Sequence, residues 1–218
     1  CQNNPDDLNR RIAQGVNLIA DGVADSFQFD DWYCNAQMLA FGNPCFCEHC
    51  MREFAIELGI DIDYRRYLRT RGFTHTAQLL EAAKTDEVPL WEDYRRFQQR
   101  TVTRFFRRLK AGLDQALAAP VGLSVNGSVL SFGGKVETVL PFISYCHSET
   151  PAFTPPALLR LAEASRELQI KQIASFFPDV PAADYHDSEF VGRVKQAIGL
   201  CYCLGLLPLF PYDVYAGN

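Results

Sequence analysis

The sequence predicts an α/β fold on a parallel sheet, (β/α)8 TIM-barrel-like, with five of the strands present. Three observations point there. Segments of strand character alternate with amphipathic helical ones from Pro120 to the end of the chain. Polar residues collect after the carboxyl ends of the strands, at Asp30/Asp31, Asn126, His147/Glu149 and Asp213, the end where such barrels hold their sites. No glycine-rich phosphate loop follows the first strand, which weakens a nucleotide-binding version of the alternative, an open doubly wound sheet. Five strands do not close a barrel, and a chain that opens at Cys1 in front of a helix fits one lacking three upstream strands. Residues 1–218 are therefore expected as a single partial barrel with a Cys-rich, zinc-binding insertion at about 32–58.

Asn4-Pro5-Asp6-Asp7 supplies an N-cap and an acidic first turn. The helix it opens carries Leu8, Ile12, Val16 and Ile19 on one stripe and ends at Gly22. Ala24–Asp30 reads as a strand, with Ser26, Gln28 and Asp30 on one face and Phe27 and Phe29 on the other. In a barrel the aromatics pack beneath helices and the polar row points into the mouth. Trp32–Pro44 is loop-like. A helix then runs from Cys50 through Phe54 and Ile56 to Gly59, followed by shorter ones at Asp63–Arg71 and Thr74–Ala83. A long helix from about Pro89 to Ala118 has Phe97, Val102, Phe105, Leu109, Leu113 and Leu117 along one stripe. Beyond it the expected strands are Val121–Val125, Phe142–Cys146, Ile170–Phe176 and Leu206–Phe210. The helices between them are a short one around Lys135–Leu140, then Pro156–Leu168 and Glu189–Leu204.

Composition narrows the function classes. A hydrophobic content of 48% with sixteen Phe and nine Tyr supports a packed core and argues against disorder. The net charge is −5, and arginines such as Arg95, Arg96, Arg100 and Arg104 are spread along helical faces, so no nucleic-acid partner is expected. No membrane is expected either: the longest apolar run, Ala197 to Pro211, is broken by Gly199, Gly205 and Pro208. No secretory signal is visible at the start. The sequence leaves a homo-oligomer open.

Eight cysteines are many for a cytosolic enzyme and few for a disulfide scaffold of this size. Their distribution decides. Cys146, Cys201 and Cys203 sit in apolar stretches and read as buried core thiols. Cys45, Cys47 and Cys50 form a metal claw, and a run so prone to oxidation is uncommon without a ligand to hold. Zinc in a closed structural site takes four soft ligands, so a fourth thiolate is needed, from Cys1 or Cys34; His49, between two ligands, is expected to face away. Reduced, metal-binding thiols favour a cytoplasmic location.

The segment Cys45-Phe-Cys-Glu-His-Cys-Met-Arg-Glu-Phe54 resembles the Cys-x-Cys-x2-Cys-x3-Phe segment of family 42 glycoside hydrolases, the β-galactosidases of clan A, and of glycosidase-like barrels around them. In that family the claw follows barrel strand four, and the fourth cysteine lies in a Cys-x-Asn-x-Pro-like segment. Cys1-Gln-Asn-Asn-Pro5 is similar to that segment, so the resemblance implies Cys1 as fourth ligand and Cys34 as second choice. It covers Cys1–Leu58 well and the rest mainly by strand order, and it implies strands four to eight of a barrel acting on a saccharide. The family's two catalytic glutamates are unmatched: Trp32 stands where the acid/base belongs, after Asp31, and Ser175 is nearest to the nucleophile's place.

Glycoside hydrolysis needs one carboxyl as proton donor and another as nucleophile or base. The replacements are Asp30 or Asp31 at the end of the first strand and Glu149 after the strand ending at Cys146. Alternation favours Asp30 over Asp31, and His147 and Glu149 share a face. Substrate-binding candidates are Trp32, Asn126, His147, Tyr212 and Asp213, with Asp184 and His186 weaker. Tyr33, Tyr145, Phe177 and Tyr215 add aromatics near strand ends, where they suit sugar stacking or plain packing. The leading expectation is a glycoside hydrolase with structural zinc. The alternatives are a catalytically inactive carbohydrate-binding barrel and a zinc-dependent interaction module.

Overall fold

The structure is a computed structural model that describes residues 1–30, 33–40, 42–127, 138–150, 154–176 and 184–210; for Cys34, Ala40, Glu149 and Thr150 only the backbone is described. The chain divides into two compact units, a helical one of Cys1–Asp25 with Asp31–Val121 and a sheet-bearing one of Ser26–Asp30 with Gly122–Asn218.

The helical unit holds α1 (Pro5–Ala20), α2 (Cys34–Ala40), α3 (Glu48–Leu58), α4 (Tyr64–Thr70), α5 (Thr76–Lys84) and α6 (Trp91–Leu117). Asn4 caps α1 as expected, its side chain accepting from the Asp6 amide. Helix α1 lies close on α6 because Gly112 leaves room for it: a Cβ there would meet Ile12 Cδ1 at 2.5 Å. Helix α3 ends at Gly59, whose φ of 64° is the left-handed conformation a helix terminus of this kind needs. The core is aromatic. Phe54 packs edge-on to Tyr64 and Tyr94 with centroids 4.6 and 4.9 Å apart, and Phe46 stacks on Tyr94. The Tyr64 hydroxyl donates to the Pro89 carbonyl, tying α4 to the entrance of α6.

The sheet-bearing unit contains β1 (Ser26–Phe29), β2 (Gly122–Asn126), β3 (Tyr145–Thr150), β4 (Lys171–Phe176) and β5 (Leu207–Leu209), with α7 (Pro155–Glu167) before β4 and α8 (Ser188–Leu204) before β5. All neighbouring strands are parallel, and their order in space is their order in the chain. The architecture is thus mixed α/β on a five-stranded parallel sheet. The consecutive order has no switch point, the feature that defines a doubly wound sheet.

Register separates the two faces. Phe29, Val125, Cys146 and Gln172 form one row, and Ser148, Ala174 and Pro208 another on the same face. Ala174 and Phe176 on that face build a core with Leu158, Leu161 and Ala162 of α7 and Ala197 and Cys201 of α8. The opposite face carries the row Asn126, His147, Ile173 and Leu207, then Glu149, Ser175 and Leu209. Gln28, Lys171, Leu207 and Leu209 on this second face are exposed.

Three expectations need correction. The segment Trp32–Pro44 is not all loop, because Cys34–Ala40 is helical. The strand expected at Phe142–Cys146 begins only at Tyr145, after a 3-10 turn at Leu140–Phe142 in which Pro141 supplies the helical φ. His147, Ser148 and Glu149 therefore belong to the strand rather than to the loop beyond it. Cys203, expected in the core, is exposed, whereas Cys146 and Cys201 are buried.

Candidate functional site

In the helical unit the claw is built at the start of α3. Cys47 is the N-cap residue of α3, with extended backbone, and Cys50 sits in the first turn, so one helix start aims two sulfurs the same way. Cys45 precedes them on a stretch held by α6: its carbonyl accepts from the Tyr94 hydroxyl and, at 3.3 Å, from Gln98 Nε2. Cys1 arrives from the segment before α1, with its carbonyl accepting from the Asn4 amide at 3.0 Å. The four Sγ atoms lie within 4.8 Å of one another, and Cys1 Sγ is 3.4 Å from both Cys47 and Cys50. A zinc–sulfur bond of about 2.3 Å gives a tetrahedral edge of about 3.8 Å, so the cluster has the dimensions of a four-thiolate site. Cys1, Cys45, Cys47 and Cys50 can hold a metal ion.

Amide groups complete the surroundings. Asn3 Nδ2 donates to Cys50 Sγ at 3.3 Å, and Asn35 Nδ2 reaches Cys50 at 3.5 Å and Cys1 at 3.8 Å. Asn35 also donates to Gln98 Oε1 at 2.9 Å, and Gln98 Nε2 in turn to the Tyr94 hydroxyl at 3.0 Å. Donors pointing at sulfur stabilise thiolates and orient them. Hydrogen bonds with Cys45 and Cys50 hold the Cys47 thiol far below its ordinary range, while Cys50 is pushed far above it by its bonds with Cys45 and Cys47 and by burial. Cys45 is raised by its bond to Cys47. Burial, with the nearby Cys50 second, lifts Tyr94 well above its usual value and keeps it a neutral donor. A readily ionised Cys47 thus sits beside three further thiols, an arrangement a cation would favour.

His49 is half-buried and stands outside the ligand set, as expected. The side chain of Cys34 lies outside the description. Sequence reasoning missed Asn3, Asn35 and Gln98. Two of them left a signal: Asn3 is the Asn of the Cys-x-Asn-x-Pro likeness, and Gln98 sits on α6 one turn after Tyr94 and beside Phe97, a polar residue on the apolar stripe that is fully buried.

In the sheet-bearing unit the candidates come together in part. Asp30 directly follows β1 and Asn126 ends β2; Asn126 Nδ2 donates to Asp30 Oδ1 at 2.9 Å. His147 is the register partner of Asn126 on β3, and its carbonyl accepts from the Gly127 amide at 2.8 Å. The Glu149 backbone lies two residues on, opposite Ser175 of β4 and on the face that carries His147. Asp31, Trp32, Phe177, Tyr212, Asp213 and Tyr215 lie outside the described residues. Tyr145 is half-buried, Tyr33 is buried within the helical unit, and Asp184 and His186 are exposed.

Fold and site together define a mixed α/β protein with a parallel five-stranded sheet and a four-cysteine ligand set. No protein-family model, curated protein or solved structure matches the chain. Among the described residues, no helix is long and apolar enough to cross a membrane.

Proposed function

We propose that the protein is a glycoside hydrolase-like member of the (β/α)8 barrels that acts on a saccharide through carboxylates at its strand ends and carries a structural zinc ion. The observation that supports this most is the Asn126–Asp30 hydrogen bond of 2.9 Å at the carboxyl ends of two adjacent parallel strands, with His147 next in register. Consecutive parallel strands are the barrel's own order. In this reading Asp30, oriented by the Asn126 amide, is the nucleophile or base. Glu149 gives its proton to the departing glycosidic oxygen, and water completes hydrolysis. Zinc is the ion that four thiolates suit, and they leave it no open position for substrate, so its role is to hold the helical unit together.

The experiment is hydrolysis of a panel of aryl glycosides and oligosaccharides by the parent chain and the Asp30→Asn/Glu149→Gln double variant. Loss of at least about 100-fold in rate is expected; turnover unchanged in the double variant overturns the reading. One observation favours a second reading, a barrel that binds sugar without cleaving it: β4, Lys171–Phe176, contains no carboxylate, and Ser175 stands opposite Glu149. Calorimetric sugar binding by the parent chain with no turnover of any glycoside selects it.

A further inference from the structure

The four thiols of the helical unit differ in access. Cys50 is fully buried and takes side-chain donors from Asn3 and Asn35, and Cys45 is half-buried. Cys1 is exposed; Cys47 is half-buried like Cys45, but its thiol donates to the Cys1 sulfur 3.4 Å away, across 46 residues of chain. A disulfide requires about 2.05 Å between sulfurs, so the pair must close by about 1.4 Å. Oxidants reach accessible thiols first.

We propose that Cys1 and Cys47 form an oxidation site at which hydrogen peroxide joins the two sulfurs and expels the metal ion held by the four cysteines. The inference rests on the metal reading above and concerns what ends metal binding. Peroxide oxidises Cys47 to the sulfenic acid, its O–O bond breaking with uptake of a proton and loss of one water. The Cys1 sulfur then attacks the Cys47 sulfur, the S–O bond breaks, and the hydroxyl leaves as a second water after taking another proton. Two thiolates, one peroxide and two protons give one disulfide and two waters; sulfur loses two electrons and peroxide gains them. Cys45 and Cys50 remain as two ligands, fewer than a closed four-coordinate site needs, so the divalent ion leaves unchanged in charge. Dithiol reductant and fresh metal reverse the sequence.

The test loads the full chain with zinc, adds hydrogen peroxide, follows zinc with a chromogenic chelator and maps disulfides by peptide mass spectrometry. Expected are complete loss of the bound zinc, a Cys1–Cys47 cross-linked peptide, and reloading after reductant. Cys203→Ser, which removes an exposed thiol elsewhere, leaves release and cross-link unchanged. A cross-link pairing Cys45 with Cys50, release without any disulfide, or retention of zinc while Cys203 is oxidised overturns the proposal. A chain that takes up no zinc fails earlier and overturns the metal reading instead.

Discussion

Cys50 on α3 and Cys201 on α8 are both fully buried in helices, yet their surroundings differ completely. Cys50 has sulfur from Cys1 at 3.4 Å, two amide donors and two further thiols within reach. Cys201 is surrounded by Leu158, Ala174, Phe176 and Leu206, and burial alone pushes its thiol up to about 11. Cys146 on β3 is an intermediate case: burial also raises it to about 11, and the neighbouring Gln172 amide offsets part of that rise. One amide beside one thiol does not make a ligand site. Burial says a cysteine is structural; converging sulfurs and donors say it is a ligand.

The sharpest way to break this contrast is to substitute across it. Cys50→Ser should abolish metal binding and destabilise the helical unit by more than about 4 kcal/mol, because in small metal-bound units ligation is folding energy. Cys201→Ala should leave metal content unchanged and cost about 1 kcal/mol, the loss of one buried sulfur. Metal analysis of the purified variants with thermal denaturation checks both. Equal metal content in the two variants would dissolve the distinction.

What the sequence shows of each region follows the same line. The stripes of α1 and α6, the Asn4 cap and four of the five strand positions were readable because burial imposes a period and termini need particular residues. The first residue of β3 was not, since Val139 and Ile143 are apolar and buried like strand residues while the ladder starts at Tyr145. Helix α2 was not either. Its seven residues carry no charge, and Asn35 is buried there because Gln98 and two sulfurs receive its amide. The three claw sulfurs were legible from spacing, and Cys1 from the Cys-x-Asn-x-Pro likeness. Of the donors around them, Asn3 lies within that same segment, whereas Asn35 comes from one with no local pattern, so only the folded chain reveals that both point at sulfur. At the strand ends, Asp30 and Asn126 were both named from sequence, but their bond to each other depends on β1–β2 register.

Alkaline pH offers a smaller effect that separates the same two groups of thiols. In the unfolded chain the thiols ionise near 9.0, whereas folded Cys146 and Cys201 hold their protons to about 11. Between these values the unfolded state releases protons that the folded state keeps, so stability is complete below about 9 and falls until about 11, by about 2 kcal/mol at Cys146. Metal-bound thiolates are already anionic and add nothing to this loss. Urea denaturation at pH 8 and pH 11 should show a smaller decline in the Cys146→Ala/Cys201→Ala variant than in the parent. An identical decline in both would remove these thiols as its source.

The finest probe of the contrast leaves every cysteine in place. Asn35→Asp keeps shape and volume but replaces the donor 3.5 Å from Cys50 Sγ and 2.9 Å from Gln98 Oε1 with a carboxylate. Negative charge then faces sulfurs that must themselves be anionic to bind metal, and Gln98 loses its donor. Metal affinity is expected to fall about 10- to 100-fold, the usual scale for groups that orient ligands. Gln172→Glu makes the corresponding change beside Cys146, which among the described residues belongs to no cluster of metal-ligating groups, and should cost stability with metal affinity unchanged. Competition with a chelator of known zinc affinity measures both. If the two substitutions weaken zinc equally, the amides around Cys50 are packing rather than part of the metal centre, and the four sulfurs hold their geometry from the backbone alone.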